Sequence, residues 1–146
     1  MKTFTIAVAA SFLAAPALAG GHASGDAAAG EKVFSQCQTC HVVQDADGNT
    51  LAGRNAKTGP NLYGIPGQTV GTVDGFRYGK SIVEVGETGA AWDEASFVAF
   101  VQDPKGWLSE QLGGSARSKM AFRVRSEEDA INVWAFIASL SPEPES

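Results

Sequence analysis

The chain is poor in the residues that bind metals or react. Its 146 residues include two cysteines, two histidines and two methionines. No grouping of nucleophile, acid and base stands out, so hydrolytic or group-transfer catalysis has no evident machinery. Positive charge is short as well. Eleven lysines and arginines against 16 acids give a formal net charge of −5, which makes nucleic acid a poor partner. No segment reaches the roughly 18 uncharged apolar residues of a membrane helix, because charges or glycines interrupt every candidate. Alternating apolar and polar runs, internal repeats and long low-complexity tracts are missing too, and the expected class is all-α.

What is present begins with "MKTFTIAVAASFLAAPALAG". One lysine, an apolar run from Phe4 to Leu13, Pro16 and the small-residue pattern Ala17-Leu18-Ala19 read as a cleavable export signal over residues 1–19, too short to span a bilayer. Its loss removes Lys2 and makes the remainder more acidic still. Residues 20–146 then form one domain with a modest core, which a bound prosthetic group would enlarge. Residues 20–25 and 141–146 read as loose ends. Export by this route places the protein in the periplasm.

Three helical patterns are clear. The first runs from about Asp26 to Cys40, with Val33, Phe34, Cys37 and Cys40 at helical spacing and Asp26 as cap. The second is "WDEASFVAFVQDP", with Asp93 and Glu94 in its first turn and Pro104 ending it. The third opens on the capping box Ser126 to Asp129 and repeats Ala130, Val133, Trp134, Ile137 and Ala138. A short helix is expected near Lys80 to Val85. The intervening "DADGN", "GRNAKTGPNLYGIPGQTVG" and "QLGGSARS" read as loops.

Both cysteines lie in Cys37-Gln38-Thr39-Cys40-His41. A disulfide there would enclose two residues and would give His41 no purpose. A thioredoxin-like pair needs a strand feeding the motif within a βαβ unit, which is absent. Structural zinc needs four ligands, and beyond these three the chain offers one histidine, His22, in a glycine-rich leader. Covalent haem attachment uses all three residues: two thiols for the porphyrin and the following imidazole for the iron. It is the reading that fits best, and it implies one haem c.

The opposite face of the iron decides between a carrier and a catalyst. Met1 leaves with the signal, so Met120 is the only thioether of the mature chain, and His22 is badly placed. A lone methionine is ordinarily core filler. Met120, however, sits in "SARSKMAFRVR" after a glycine pair, where no helical stripe explains its burial. Ligation by Met120 is therefore expected, with a lysine as the rarer alternative.

The sequence resembles the class I cytochromes c, most nearly the bacterial c2 type, through "GEKVFSQCQTCH", "KTGPNLYG", "AWDEASFVAFVQDP", "SKM" and "VWAFI". The resemblance spans nearly all of Asp26 to Leu140. It implies short helices and loops around one haem, with the N- and C-terminal helices crossing where Gly30 and Phe34 meet Trp134 and Phe136. It also implies that the Pro60 carbonyl accepts the Nδ1 proton of His41, and that Tyr78, Trp92 and Ser118 donate to haem propionates. The implied function is a soluble one-electron carrier and not an enzyme. Its implied partners are membrane redox complexes, such as a bc1-type complex as donor and a reaction centre or terminal oxidase as acceptor, with a monomeric carrier between them. The rival readings are a dedicated subunit of a periplasmic dehydrogenase, or a haem enzyme or sensor with a labile sixth ligand.

Three departures accompany the resemblance. Phe100 stands where a tyrosine is usual near the methionine sulfur, which is expected to lower the potential slightly. Gln68 stands where an arginine commonly faces a propionate. The broad lysine ring of many relatives is replaced by a local basic cluster, Lys105, Arg117, Lys119 and Arg123, expected to dock an acidic partner.

Overall fold

Asp26 starts the first helix because its carboxylate satisfies amides that a helix start leaves unpaired. Its Oδ1 accepts from the backbone N–H groups of Ala28 at 2.8 Å and Ala29 at 3.1 Å. The computed structural model describes residues 23–142. Helix α1 spans Ala27–Phe34. It is shorter than the sequence pattern: past Phe34 the chain continues as successive turns through Cys40. The helical spacing persists there, so the cysteines still share a face.

Next comes a small antiparallel hairpin, β1 (Val42–Gln44) and β2 (Thr50–Gly53), with Val43 opposite Ala52. The all-α expectation had no strand here. Three residues cannot display an alternation, and the turn between the strands is built from side chains. Asp45 Oδ1 accepts from the amides of Asp47 and Asn49 at 3.0 and 2.8 Å, and Gly48 takes φ of 87°, the left-handed region that suits glycine. The Asn49 side chain, bonded to Asp45, leads in holding that carboxyl below its ordinary pKa.

Helix α2 spans Lys80–Glu87, two residues beyond the expected end. Helix α3 spans Glu94–Gln102 and opens on a reciprocal capping box between Asp93 and Ser96. Pro104 does end α3, and it also begins a helix where the sequence shows none: α4, Pro104–Gln111. Proline suits the first position of a helix, where its missing N–H would be unpaired anyway. Asp103 closes one helix and caps the other. Helix α5 spans Glu127–Leu140, with Ser126 Oγ accepting from the Asp129 amide at 3.2 Å.

The core is organised by the crossing of α1 and α5. Gly30 permits it: a β carbon there would overlap the Asn132 carbonyl. Phe34 and Phe136 meet with ring centroids 5.4 Å apart. Trp134, on the same helix, packs 5.1 Å from Phe97 of α3. The start of the described chain is also tied down. Ser24 donates from its amide and hydroxyl to the Glu94 carboxylate, and the Asp26 amide donates to Asn132 Oδ1 at 2.8 Å. At the other end the Ser141 hydroxyl receives the Gly64 amide at 3.0 Å. The export signal and His22 lie outside the described residues.

Candidate functional site

The turns after α1 place Cys37, Cys40 and His41 on one loop. The amides of Cys40 and His41 both donate to the Cys37 carbonyl at 3.0 Å. Both thiols are free and partly buried. Burial, with Cys40 beside it, pushes the Cys37 thiol up to about 11, so that sulfur is protonated at neutral pH.

Residues 59–62 form the opposite wall and run beside β1 almost as a third strand. The Gly59 amide donates to the Cys40 carbonyl at 2.7 Å and the Leu62 amide to the Val42 carbonyl at 2.9 Å. Between them Asn61 uses its side chain as a strand partner, accepting from the Gln44 amide at 2.9 Å and donating to its carbonyl at 2.7 Å. This backbone frame carries the Pro60 carbonyl to 2.9 Å from His41 Nδ1. With Nδ1 as donor, Nε2 holds the free lone pair. Burial lowers the pKa of His41, opposed by the Pro60 carbonyl, so the neutral, ligating form prevails at neutral pH. Gly59 lies against the imidazole so closely that a β carbon would overlap the ring.

Met120 lies on the segment between α4 and α5, partly buried and packed against the core. Ser118 Oγ accepts from the Met120 amide at 3.1 Å and donates to its carbonyl at 2.9 Å. Tyr78 is half-buried with its ring edge-on to Phe76 at 4.8 Å, and burial raises its phenol above the ordinary value. Trp92 is buried in an aromatic stack, 5.3 Å from Trp107 and 5.2 Å from Phe100. Gln68 holds a buried side-chain oxygen, Oε1, that has no hydrogen-bond partner among the described residues, although its backbone carbonyl pairs with the Trp92 amide at 2.9 Å.

The four cations expected to dock a partner divide in two. Lys105 and Arg117 are exposed and, among the described residues, form no ion pair. Arg123 is neutralised by Asp103, with Nη2 to Oδ1 at 2.7 Å, and Lys119 Nζ donates to the Arg77 carbonyl at 2.6 Å. In sequence the four look equivalent.

These residues fit a covalently attached haem. Two free thiols share a turn with an imidazole whose Nδ1 is tethered and whose Nε2 is free, and the wall beside that ring is a glycine. Sequence reasoning missed Gly59 and Asn61 as members of this frame. Their only local signal was the glycine-proline-asparagine run itself.

No protein-family model matches the chain. Curated relatives do. A cytochrome c2 of Rhodovulum adriaticum is 57% identical over 118 residues, covering 80% of this chain and 94% of the relative. A cytochrome c2 of Cereibacter sphaeroides is 50% identical over 141 residues, covering 95% of each. Among solved structures, cytochrome c2 from Rhodobacter sphaeroides superposes with a TM-score of 0.80 at 51% identity, covering 83% of this chain and all of that one.

Proposed function

The chain belongs to the class I cytochromes c of the bacterial c2 type, and from that premise we propose a soluble periplasmic carrier with His41 and Met120 as the axial ligands of its haem iron. As a family member it is an electron-transfer protein with one covalently attached haem c, and not an enzyme. The haem supplies a one-electron couple, and everything else falls to the chain.

Cys37 and Cys40 are the attachment points. Each partly buried thiol would add across a vinyl group of the porphyrin, its sulfur and its hydrogen going to the two vinyl carbons, so that no leaving group is required. His41 offers Nε2 in a fixed orientation because Nδ1–H is held by the Pro60 carbonyl, and that bond makes the imidazole the stronger ligand. Met120 would supply a soft thioether on the other face. Methionine opposite histidine favours the reduced iron and raises the potential. Two protein ligands would also keep small oxidants from an open site.

The observation that carries this reading is the tethered imidazole: His41 Nδ1 stands 2.9 Å from the Pro60 carbonyl, beside two free cysteines. Partners would be membrane complexes, a bc1-type donor and a reaction centre or terminal oxidase as acceptor, reached through Lys105, Arg117 and the exposed Phe122 near Met120. A redox titration with the ferric spectrum tests the ligands. The weak red-end band of methionine ligation is expected in the native protein and absent in Met120→Ala. Its survival in Met120→Ala would overturn the assignment.

A further inference from the structure

The amino-terminal end of the exported chain holds a pattern that electron transfer does not use. Cleavage after Ala19, at the Ala17-Leu18-Ala19 pattern, leaves Gly20-Gly21-His22 as the new start. His22 then stands third. Of the two histidines it is the one left over, since the other, His41, is the proposed ligand of the haem iron. An α-amine, two backbone nitrogens and an imidazole Nδ1 in this order can close fused chelate rings around a single ion. They set four nitrogens in one plane, the geometry that Cu(II) and Ni(II) prefer. Glycine at 20 and 21 puts no β carbon beside that plane, and neither backbone nitrogen belongs to a proline, which would lack the N–H to be displaced.

Residues 20–22 precede the described residues, and the first of those give the site its base. Ala23 is packed against the core, and the Ser24 amide and hydroxyl both donate to the Glu94 carboxylate. Asp26 is fastened in turn, its amide donating to Asn132 Oδ1 at 2.8 Å. His22 is two positions from Ser24, so their Cα atoms can be no more than roughly 8 Å apart. An ion held by His22 is therefore kept near the start of α3, where Glu94 adds negative charge. Among the described residues no cluster of His, Cys, Asp and Glu side chains is placed to compete for it.

We propose that the exported chain carries an amino-terminal site for divalent copper, and less tightly nickel, formed by the Gly20 α-amine, the backbone nitrogens of Gly21 and His22, and His22 Nδ1. This rests on removal of the export signal after Ala19. The two amide protons pass to solvent base as the metal binds, and neither the bound ion nor the haem iron changes oxidation state. Copper precedes nickel because the same nitrogen donors bind it more tightly. The carrier thus holds a second metal, apart from its haem and without using either thiol.

The exported ferric holoprotein provides the test, and its intact mass fixes the amino terminus. Cu(II) is titrated in at neutral pH against a competing chelator, nitrilotriacetate, and the bound ion is read by electron paramagnetic resonance. The native protein should take up one equivalent with a tetragonal, four-nitrogen signal, and the amide resonances of Ser24 and Glu94 should broaden. Gly21→Ala keeps every donor and should behave as native. Gly21→Pro lacks the N–H at 21 and His22→Ala lacks the imidazole, so each, at confirmed mass, should lose the equivalent with its haem spectrum unchanged. An equivalent that survives in either variant would mark an adventitious ion and overturn the site. Binding that leaves Ser24 and Glu94 sharp would do the same. A mass that starts the chain at any other residue overturns the site together with the cleavage point, whereas the expected mass without copper uptake removes the site and leaves the cleavage standing.

Discussion

The histidine side and the methionine side of this protein are built by different means. His41 is held by a backbone lattice: Cys40 to Gly59, Val42 to Leu62, and the paired strands behind them. Met120 rides on a segment tied mainly by side chains, those of Ser81, Ser109, Lys119 and Arg123. A backbone lattice opens only with the surrounding fold, whereas single side-chain ties can break separately. The arrangement concentrates rigidity on the ligand beside the covalent attachment and leaves give on the other.

Gly59→Ala attacks the rigid side most severely. A β carbon overlapping the imidazole must displace it, and overpacking of this kind costs up to about 3 kcal/mol. Denaturant unfolding and the yield of haem-loaded protein should both fall; a fully loaded variant of native stability would show that His41 is not fixed by this wall. Asn61→Ala comes next. It strips the Gln44 amide and carbonyl of their partner and is expected to cost about 2 kcal/mol of global stability.

On the other side the same kind of loss should look different. Ser109→Ala or Ser81→Ala removes one neutral bond, about 1 kcal/mol, and the loss should appear as earlier thermal disappearance of the red-end band with little change in global unfolding. Equal effects on both measurements would erase the contrast between the two sides.

Asp93→Ala is a remote control. Its Ser96 partners hold the Asp93 carboxyl below its ordinary value of 3.8, so its contribution is present above the unfolded value and fades as pH falls through the lower folded one. The loss of the α3 cap should cost about 1 kcal/mol at neutral pH, shrink in acid, and leave the band untouched at either pH. Chemical denaturation at the two pH values checks this.

Much of the histidine side is legible in the sequence because its signals are local. Cys37, Cys40 and His41 lie within five residues, and α5 announces itself by its capping serine and apolar period, while the close crossing at Gly30 is legible only through the family resemblance. The hairpin at Val42 to Gly53 escapes because it is too short to show a period. Helix α4 escapes because Pro104 reads as a stop, although the same residue starts the next helix. The ties of Ser81, Ser109 and Lys119 reach across the fold to loops and helices distant in sequence. No spacing rule foretells a hydroxyl or ammonium that meets a backbone group far along the chain, and one of these ties engages a cation of the basic cluster, Lys119.

The elbow at Asp103 gives the methionine segment a direction of travel. Helices α3 and α4 meet there, and the segment's exit is fastened beside it through Val124 and Arg123, with Val124 itself buried. Its entry hangs on two serine hydroxyls, and Arg117 there is exposed. The segment is thus fastened to side-chain hydroxyls at its entry and to a buried backbone bond at its exit. Amide exchange should run along it in that order, with Arg117 giving up its hydrogen well before Val124.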